Sequence, residues 1–538
     1  MSSAPQPQRQ IADSRAPIWP WAVAAAVPAI AAYLPSLANP MVWDDELHVP
    51  LAIRLTLSQA FGPIGGQYRR PLVLLSYRLQ AAMGAASPSA LHLANALMHG
   101  ACAALMVVVL SALETPPVIA AAAALLFAFH PLTSGSVAYI SGRTDLLATL
   151  MTLACAAAVL APEPDVRRET VGDPPVGGLD RPAMAMRLLT AAAAALAAGL
   201  AKESGIVAGP LAAMLWWWQR RRQRQPQLEG PTLMAPALAL LGSAAAAALV
   251  WPASIAASVP LGVRLRAVAT AAAEYLRLLV WPAALHLDRL TPTLPPGYEP
   301  AGAAVVAAML AAPLLLAQKP TRGRLAACAL VLLYLPASGL VPVYPAIADR
   351  YVFTGEQFLY APIIVIAAVV ATLASRRLAP AAVLAACCVV AAAWAPSLLA
   401  RQKEFADAAQ VYRKTLAYSP SSRACFNLGN TLLAGNRSDD AEKVYRQCIE
   451  IAPDDAQNWG QLAIALQGQG RDDEASGAYV RATTLDPASA LLWSNFATLD
   501  ANAGRYGAAR EKWYRALSID PQEQSARAAL LRLDNAGR

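Results

Sequence analysis

Apolar runs of about twenty residues follow one another through the first three quarters of this chain and then stop. A run of that length, wound as a helix, crosses the roughly 30 Å hydrocarbon core of a bilayer. Helices and closed barrels alone satisfy their own backbone there. Runs begin near Trp19, Ala90, Pro117, Thr144, Arg187, Gly205, Thr232, Ala301, Leu325, Gln357 and Leu378. The pattern predicts an all-α chain. Residues 1–400 form a polytopic transmembrane helix bundle of 11 expected spans, and residues 401–538 form a charged, water-facing domain. The whole-chain composition, 57% hydrophobic and 14% charged, averages over these two unlike parts.

Charge decides orientation more than partner class. The formal net charge of +8 comes from short basic clusters between apolar runs, and so implies no nucleic acid. The clusters Arg167-Arg168, Arg220-Arg221-Arg222-Gln223-Arg224, Lys319/Arg322/Arg324 and Arg376-Arg377 mark cytoplasmic loops. Arg9 and Arg15 precede the first run, which reads as an uncleaved span with its N-terminus inside. The alternation closes if Val263–Leu287, with Arg264, Arg266, Glu274 and Arg277, lies at the interface as an amphipathic helix. The C-terminal domain is then periplasmic and the bundle sits in an inner membrane. If that segment crosses, the domain is cytoplasmic.

The C-terminal part repeats itself. Tyr412, Tyr445, Tyr479 and Trp513 each precede a Pro by eight residues, at Pro420, Pro453, Pro487 and Pro521. Trp459 and Trp493 are 34 apart, as are Gly470 and Gly504. This is the tetratricopeptide pattern of helix, turn, helix and closing Pro. Three full repeats follow a half-repeat over about Arg401–Pro420, and Ala441, Ala475 and Ala509 let paired helices approach. Stacked repeats form a concave surface that binds peptides or proteins. Asn427, Asn430, Asn458, Gln461 and Asn495, on the first helices, are the candidate contacts for an acceptor or partner. Cys425 begins a first helix and Cys448 ends its antiparallel partner, so the two can meet. An oxidising compartment would permit a disulfide. No CxxC pair suggests a zinc module.

In this topology nine carboxylates converge on the outer face: Asp44, Asp45, Glu46, Asp145, Glu203, Glu274, Asp288, Asp349 and Glu356. Charges near a bilayer are costly unless paired or facing a cavity. They sit in an ordered series of motifs: Trp43-Asp44-Asp45-Glu46, Tyr68-Arg69-Arg70-Pro71-Leu72, His92-x-x-Asn95-x-x-x-His99, Phe129-His130-Pro131, Gly142-Arg143-x-Asp145, Ala201-Lys202-Glu203-Ser204-Gly205 and Ala348-Asp349-Arg350-Tyr351. The series resembles the transmembrane and tetratricopeptide repeat-containing O-mannosyltransferases, glycosyltransferases of GT-C type that use a polyprenyl-phosphate sugar. The chain departs from that pattern in one inserted Arg at Arg69-Arg70-Pro71, and in Asp349 where Glu is expected.

The resemblance implies sugar transfer from a polyprenyl-phosphate donor to an acceptor, expected to be a protein Ser or Thr. Such a transfer needs a base for the acceptor proton and cations for the phosphate. Asp44 or Asp45 is the base candidate, because a like-charged neighbour raises one carboxyl pKa. Arg143, Lys202 and Arg350, with Asp145 and Glu203 beside them, are candidates for the donor phosphate, as are Arg69, Arg70 and His130. Polar contact between helices explains His92, Asn95 and His99 as well as a ligand does. A divalent cation is possible, but no ligand set is complete and no metal is assigned. The alternative is a non-catalytic, membrane-anchored repeat scaffold for envelope protein assembly. A transporter would favour internal repeats and charges near the midplane, and neither is seen.

Overall fold

A computed structural model describes residues 17–56, 58–62, 69–161, 181–222, 230–250, 260–290, 294, 297–316, 321–338, 340 and 353–535. Among the described residues the regular structure is helical, apart from one two-residue antiparallel pairing of Arg289–Leu290 with Phe353–Thr354. In the apolar part the helices are α1 (Trp19–Ala31), α2 (Asp45–Arg54), α3 (Pro71–Ala82), α4 (Pro88–Ala112), α5 (Pro117–Phe129), α6 (Ser134–Val137), α7 (Arg143–Leu160), α8 (Arg181–Ala201), α9 (Ala208–Arg222), α10 (Gly230–Val250), α11 (Leu261–Val280), α12 (Tyr298–Leu315), α13 (Arg322–Tyr334), α14 (Tyr360–Ala374) and α15 (Pro380–Glu404). Pro opens α3, α4, α5 and α15 at the first turn, where its missing N–H costs nothing.

Eight described helical segments are long and apolar enough to cross a membrane, or nine if α5 and α6, bent by 59° at His130, count as one span. The chain is thus a multi-pass membrane protein. The eleven expected runs all form helices. The two outside this count are α9 and α13, of 15 and 13 residues. At 1.5 Å per residue they extend only about 20 Å.

Helix α11, the pivot of the expected topology, is not among the apolar segments. Arg322, at the start of α13, donates to the carbonyl of Glu114 just past α4, so Tyr334 lies toward the opposite end of the bundle. Both parts of α11 contact that opposite end. The Tyr275 ring meets Tyr334 edge-on at 6.0 Å, and Arg264 reaches the Leu340 carbonyl at 3.4 Å. Leu279 accepts from His130 Nε2 at the end of α5. Helix α11 also packs closely along α12, itself one of those apolar segments, where a Cβ on Gly302 would stand 1.6 Å from the Ala269 carbonyl oxygen.

The repeats comprise α16 (Ala408–Tyr418), α17 (Ser422–Ala434), α18 (Ser438–Ile451), α19 (Ala456–Gly468), α20 (Asp472–Leu485), α21 (Ala490–Asn502), α22 (Tyr506–Ile519) and α23 (Gln524–Asn535). The 34-residue period reappears as bonding: Trp459 Nε1 donates to Pro453 O and Trp493 Nε1 to Pro487 O. Ala441, Ala475 and Ala509 are fully buried between paired helices. Cys425 and Cys448 form a disulfide between α17 and α18.

The last apolar helix does not stop at Ala400. It runs to Glu404, burying Arg401 and Gln402. Gln402 Nε2 donates to Ala32 O, and the Gln402 carbonyl accepts from Asn39. Arg401 joins a buried chain of alternating charges, Arg277–Glu274–Arg289–Glu356–Arg401–Glu404–Lys414, that ends in α16. Two of the nine carboxylates picked out by charge, Glu274 and Glu356, are therefore bonded here, with Glu404 added. The repeats are clamped to the bundle end rather than tethered to it.

Candidate functional site

The segment between α1 and α4 folds over the repeat-bearing end of the bundle. Trp43 adopts φ 57°, a left-handed conformation that a bulky side chain enters only under constraint. Its N–H donates to Tyr412 Oη of α16 at 2.8 Å, and the two rings lie 5.3 Å apart. The two adjacent aspartates then diverge. Asp45 is fully buried and accepts from the N–H of Val42 (3.2 Å) and of Ser141 (2.6 Å). Burial pushes its carboxyl up to about 7, against those hydrogen bonds. Asp44 remains 38% exposed, and its Oδ1 lies 3.3 Å from Arg423 Nη2 of α17.

The turn bearing Ser141 is held from three sides. Asn95 Nδ2 donates to Tyr139 O and Ile140 O, Tyr77 Oη donates to Ile140 O, and Asp45 takes the Ser141 N–H. Gly142 is required there, since a Cβ would stand 2.3 Å from Ser136 O. Arg143 follows, fully buried. Its Nε donates to Asn95 Oδ1 and its Nη2 to Leu91 O, each at 3.0 Å, and Tyr77 lies under its guanidinium at 4.4 Å. Buried on these partners, with Nη1 also 3.4 Å from Ser76 Oγ, Arg143 orders the turn. His99 is likewise taken by helix contacts, bonding Tyr360 Oη (2.7 Å) and Ala128 O (3.2 Å).

Lys202 is placed differently. Its Nζ lies 2.7 Å from Asp145 Oδ1 and 4.7 Å from the centre of the Phe358 ring. Glu203 beside it receives Arg70 through both nitrogens, at 2.7 and 3.3 Å. Gly205 closes this turn, where a Cβ would meet Ala198 O at 2.0 Å. Lys202, Glu203, Asp145 and Phe358 line a cavity of about 40 Å³. It shares Thr149, Thr152, Leu333 and Ala361 with an apolar groove of about 170 Å³ bounded by Leu153, Leu211, Trp218, Leu325 and Ile364. The polar cavity and the apolar groove are thus adjacent, with a shared wall.

His48 connects the two clusters. It sits in the field of Asp44, Arg70 and Arg423, and burial first, then the two cations, depress its imidazole despite Asp44. The other expected residues fall outside this arrangement. Arg69 reaches the Leu249 carbonyl at 3.3 Å. His130 bonds Leu279 O and packs on Trp394 at 4.7 Å, facing a separate groove of about 340 Å³. Arg350, with Asp349 and Tyr351, lies outside the described residues. Among the described residues no group of three or more His, Cys, Asp or Glu is placed to hold a metal.

In the repeats, Asn427, Gln461 and Asn495 are half-buried, and Asn430 Oδ1 accepts from Tyr445 Oη at 2.7 Å. Asn458 is a correction: it is fully buried, not exposed. It occupies the register of Cys425 and Leu492, both interior positions one residue before an aromatic. Sequence reasoning missed Arg423 and Ser421 as neighbours of Asp44, and named Asp288 only as one of nine carboxylates on the same face. Ser421 Oγ donates to Asp288 Oδ2 at 2.5 Å, and Asp288 lies in the field of Arg423 and Asp44. No motif marks Arg423, whose partner lies 379 residues away.

The tetratricopeptide repeat family model matches residues 422–455, the pair α17 and α18. Over 84 residues the chain is 40% identical to the protein O-mannosyl-transferase TMTC2 of Mus musculus and 39% identical to that of Homo sapiens. Each match covers 16% of this chain and 10% of the relative, so the chain spans about a tenth of the length of the curated relatives it matches. Among solved structures, YrrB, a TPR protein described as having an unusual peptide-binding site, is 21% identical, with 26% of this chain and 72% of that one covered at a TM-score of 0.22. The APC/C hetero-tetramer Cut9–Hcn1 is 14% identical, covering 89% of this chain and 99% of that one at 0.24.

Proposed function

We propose that the chain is an integral membrane glycosyltransferase of GT-C type. It transfers a sugar from a polyprenyl-phosphate donor to a protein Ser or Thr at the periplasmic face of an inner membrane. Residues 1–400 form the catalytic bundle, and the repeats, 401–538, bind the acceptor. The partial similarity to protein O-mannosyl-transferases supports the reaction class. The observation that carries the reading is a polar pocket at Lys202 adjoining an apolar trough, with Asp44 exposed under the first repeat.

In this reading the isoprenoid lies in the trough. Lys202 holds the phosphate, with Arg70 on its far side across Glu203, and the sugar points toward Asp44. The acceptor hydroxyl gives its proton to Asp44. Its oxygen bonds the anomeric carbon, and the bond from that carbon to the phosphate oxygen breaks, the electron pair leaving with the phosphate. Asp45 does not act as base, because its oxygens are sealed by two backbone N–H groups; it fixes Asp44 against the Ser141 turn. A disulfide in the first repeat suits the oxidising side of a membrane. The scaffold alternative gives no reason for a trough with a cationic head.

Asp44→Asn tests the proposal. Transfer from a polyprenyl-phosphate sugar to a Ser/Thr peptide by the purified full chain should fall on the order of 100- to 10,000-fold. Undiminished transfer would remove Asp44 as base.

A further inference from the structure

We infer that the first repeat supplies a residue of the reaction centre itself: Arg423 holds the Asp44 carboxylate so that its second oxygen faces the acceptor hydroxyl. The inference rests on reading Asp44 as the base. It makes the repeats part of the site rather than a device that only delivers the acceptor.

The contact is single-pronged. Arg423 Nη2 meets Asp44 Oδ1 at 3.3 Å, and among the described residues Oδ2 has no hydrogen-bond partner. A carboxylate held by one oxygen has a fixed rotamer and one oxygen left to receive a proton. The guanidinium is itself held, lying 5.2 Å from the centre of the Trp43 ring. A planar, delocalised cation suits both contacts at once. Trp43 in turn is fixed by its left-handed backbone and by Tyr412 of the repeats.

Arg423 stands in the first turn of α17, where the helix dipole disfavours a cation by a few tenths of a kcal/mol up to about 1. The helix therefore has no use of its own for a positive charge there. The bundle does: Asp44 and Asp288 both lie in the field of Arg423, and the guanidinium offsets their mutual repulsion. The placement of α17 is secured independently. Ser421, its N-cap, accepts from the Ala424 N–H while donating to Asp288. The Cys425–Cys448 disulfide ties the next turn to α18. Arg423 is thus a positioning residue carried on a rigid mount, as a geometry tight enough for proton transfer requires.

The test uses the full chain in lipid nanodiscs, assayed with a polyprenyl-phosphate sugar and a Ser/Thr peptide. Arg423→Ala should lower kcat on the order of tenfold to a hundredfold and leave the acceptor KM nearly unchanged. Arg423→Lys should restore much of kcat. Ser421→Ala, which loosens the same helix but keeps the cation, should act on KM instead. Thermal transitions of all three variants show that they fold. The inference is overturned if Arg423→Ala keeps wild-type kcat while Asp44→Asn is inactive, or if Arg423→Ala and Ser421→Ala show the same KM defect. An active Asp44→Asn protein instead overturns the assignment of the base, and this inference with it.

Discussion

Lys202 is the residue whose two readings separate most cleanly by experiment. Its ammonium either neutralises Asp145 or also binds the donor phosphate. The pair is 2.7 Å long, with side chains only 5% and 9% exposed. Replacing Lys202 with Met leaves Asp145 charged and buried, and breaking such a pair costs about 3–5 kcal/mol. Replacing both, as Lys202→Met with Asp145→Asn, removes the stranded charge, and swapping a buried pair for neutral groups is often close to neutral. Thermal unfolding should therefore show a large loss in the single variant and recovery of most of it in the double. Donor recognition should not recover. One hydrogen bond to a charged group contributes about 1.5–3 kcal/mol, which raises the donor KM roughly tenfold to a hundredfold. The double variant isolates that effect because it is folded. If it binds donor as tightly as the wild type, Lys202 serves only to neutralise Asp145, and the head of the trough is not a phosphate site.

Three further outcomes follow from the geometry. The folded state holds the Asp45 proton up to about 7, whereas the unfolded chain releases it near 3.8, so stability falls as pH rises through that window. Asp45→Asn should flatten that slope in thermal unfolding measured across it. The Cys425–Cys448 bond closes a loop with a sequence separation of 23, and its reduction should cost the first repeat about 3 kcal/mol. Free-thiol counting before and after reduction, paired with denaturant unfolding of the full chain, measures this; two extra thiols after reduction confirm the bond. Arg401→Ala should remove one of the two cations on the fully buried Glu356, leaving Arg289 in place, at about 1.5–3 kcal/mol. Limited proteolysis should then cut between α15 and α16 faster than in the wild type.

Much of the architecture was legible because it depends on local composition and period. A run such as Pro88–Ala112 announces a span by length alone, and the Trp459–Trp493 spacing announces a repeat. The motifs were legible as a set, and several proved to be one joint: Asn95, Gly142, Arg143 and Asp45 all fasten the turn at Ser141. Their individual roles were not legible. Arg143 and Lys202 look alike in sequence, each a cation near an acid at a span end, yet one is spent on carbonyls and the other lines a cavity. Asn458 looked like its neighbours on a first helix, but one position along a helix turns a side chain by about 100°, enough to move it from face to interior.

The sequence by itself determined that this chain crosses a membrane several times and ends in tetratricopeptide repeats, because hydropathy and a 34-residue period act over neighbouring residues. Only the tertiary structure decided which of two adjacent aspartates is sealed and which is open. It alone brought Arg423 to Asp44, and it alone set the ion pairs through Arg401 and Glu404 that clamp the repeats to the bundle. Burial and ion pairing are set by whatever packs against a residue. Here the packing partners come from segments hundreds of residues apart, whose meeting no local pattern encodes.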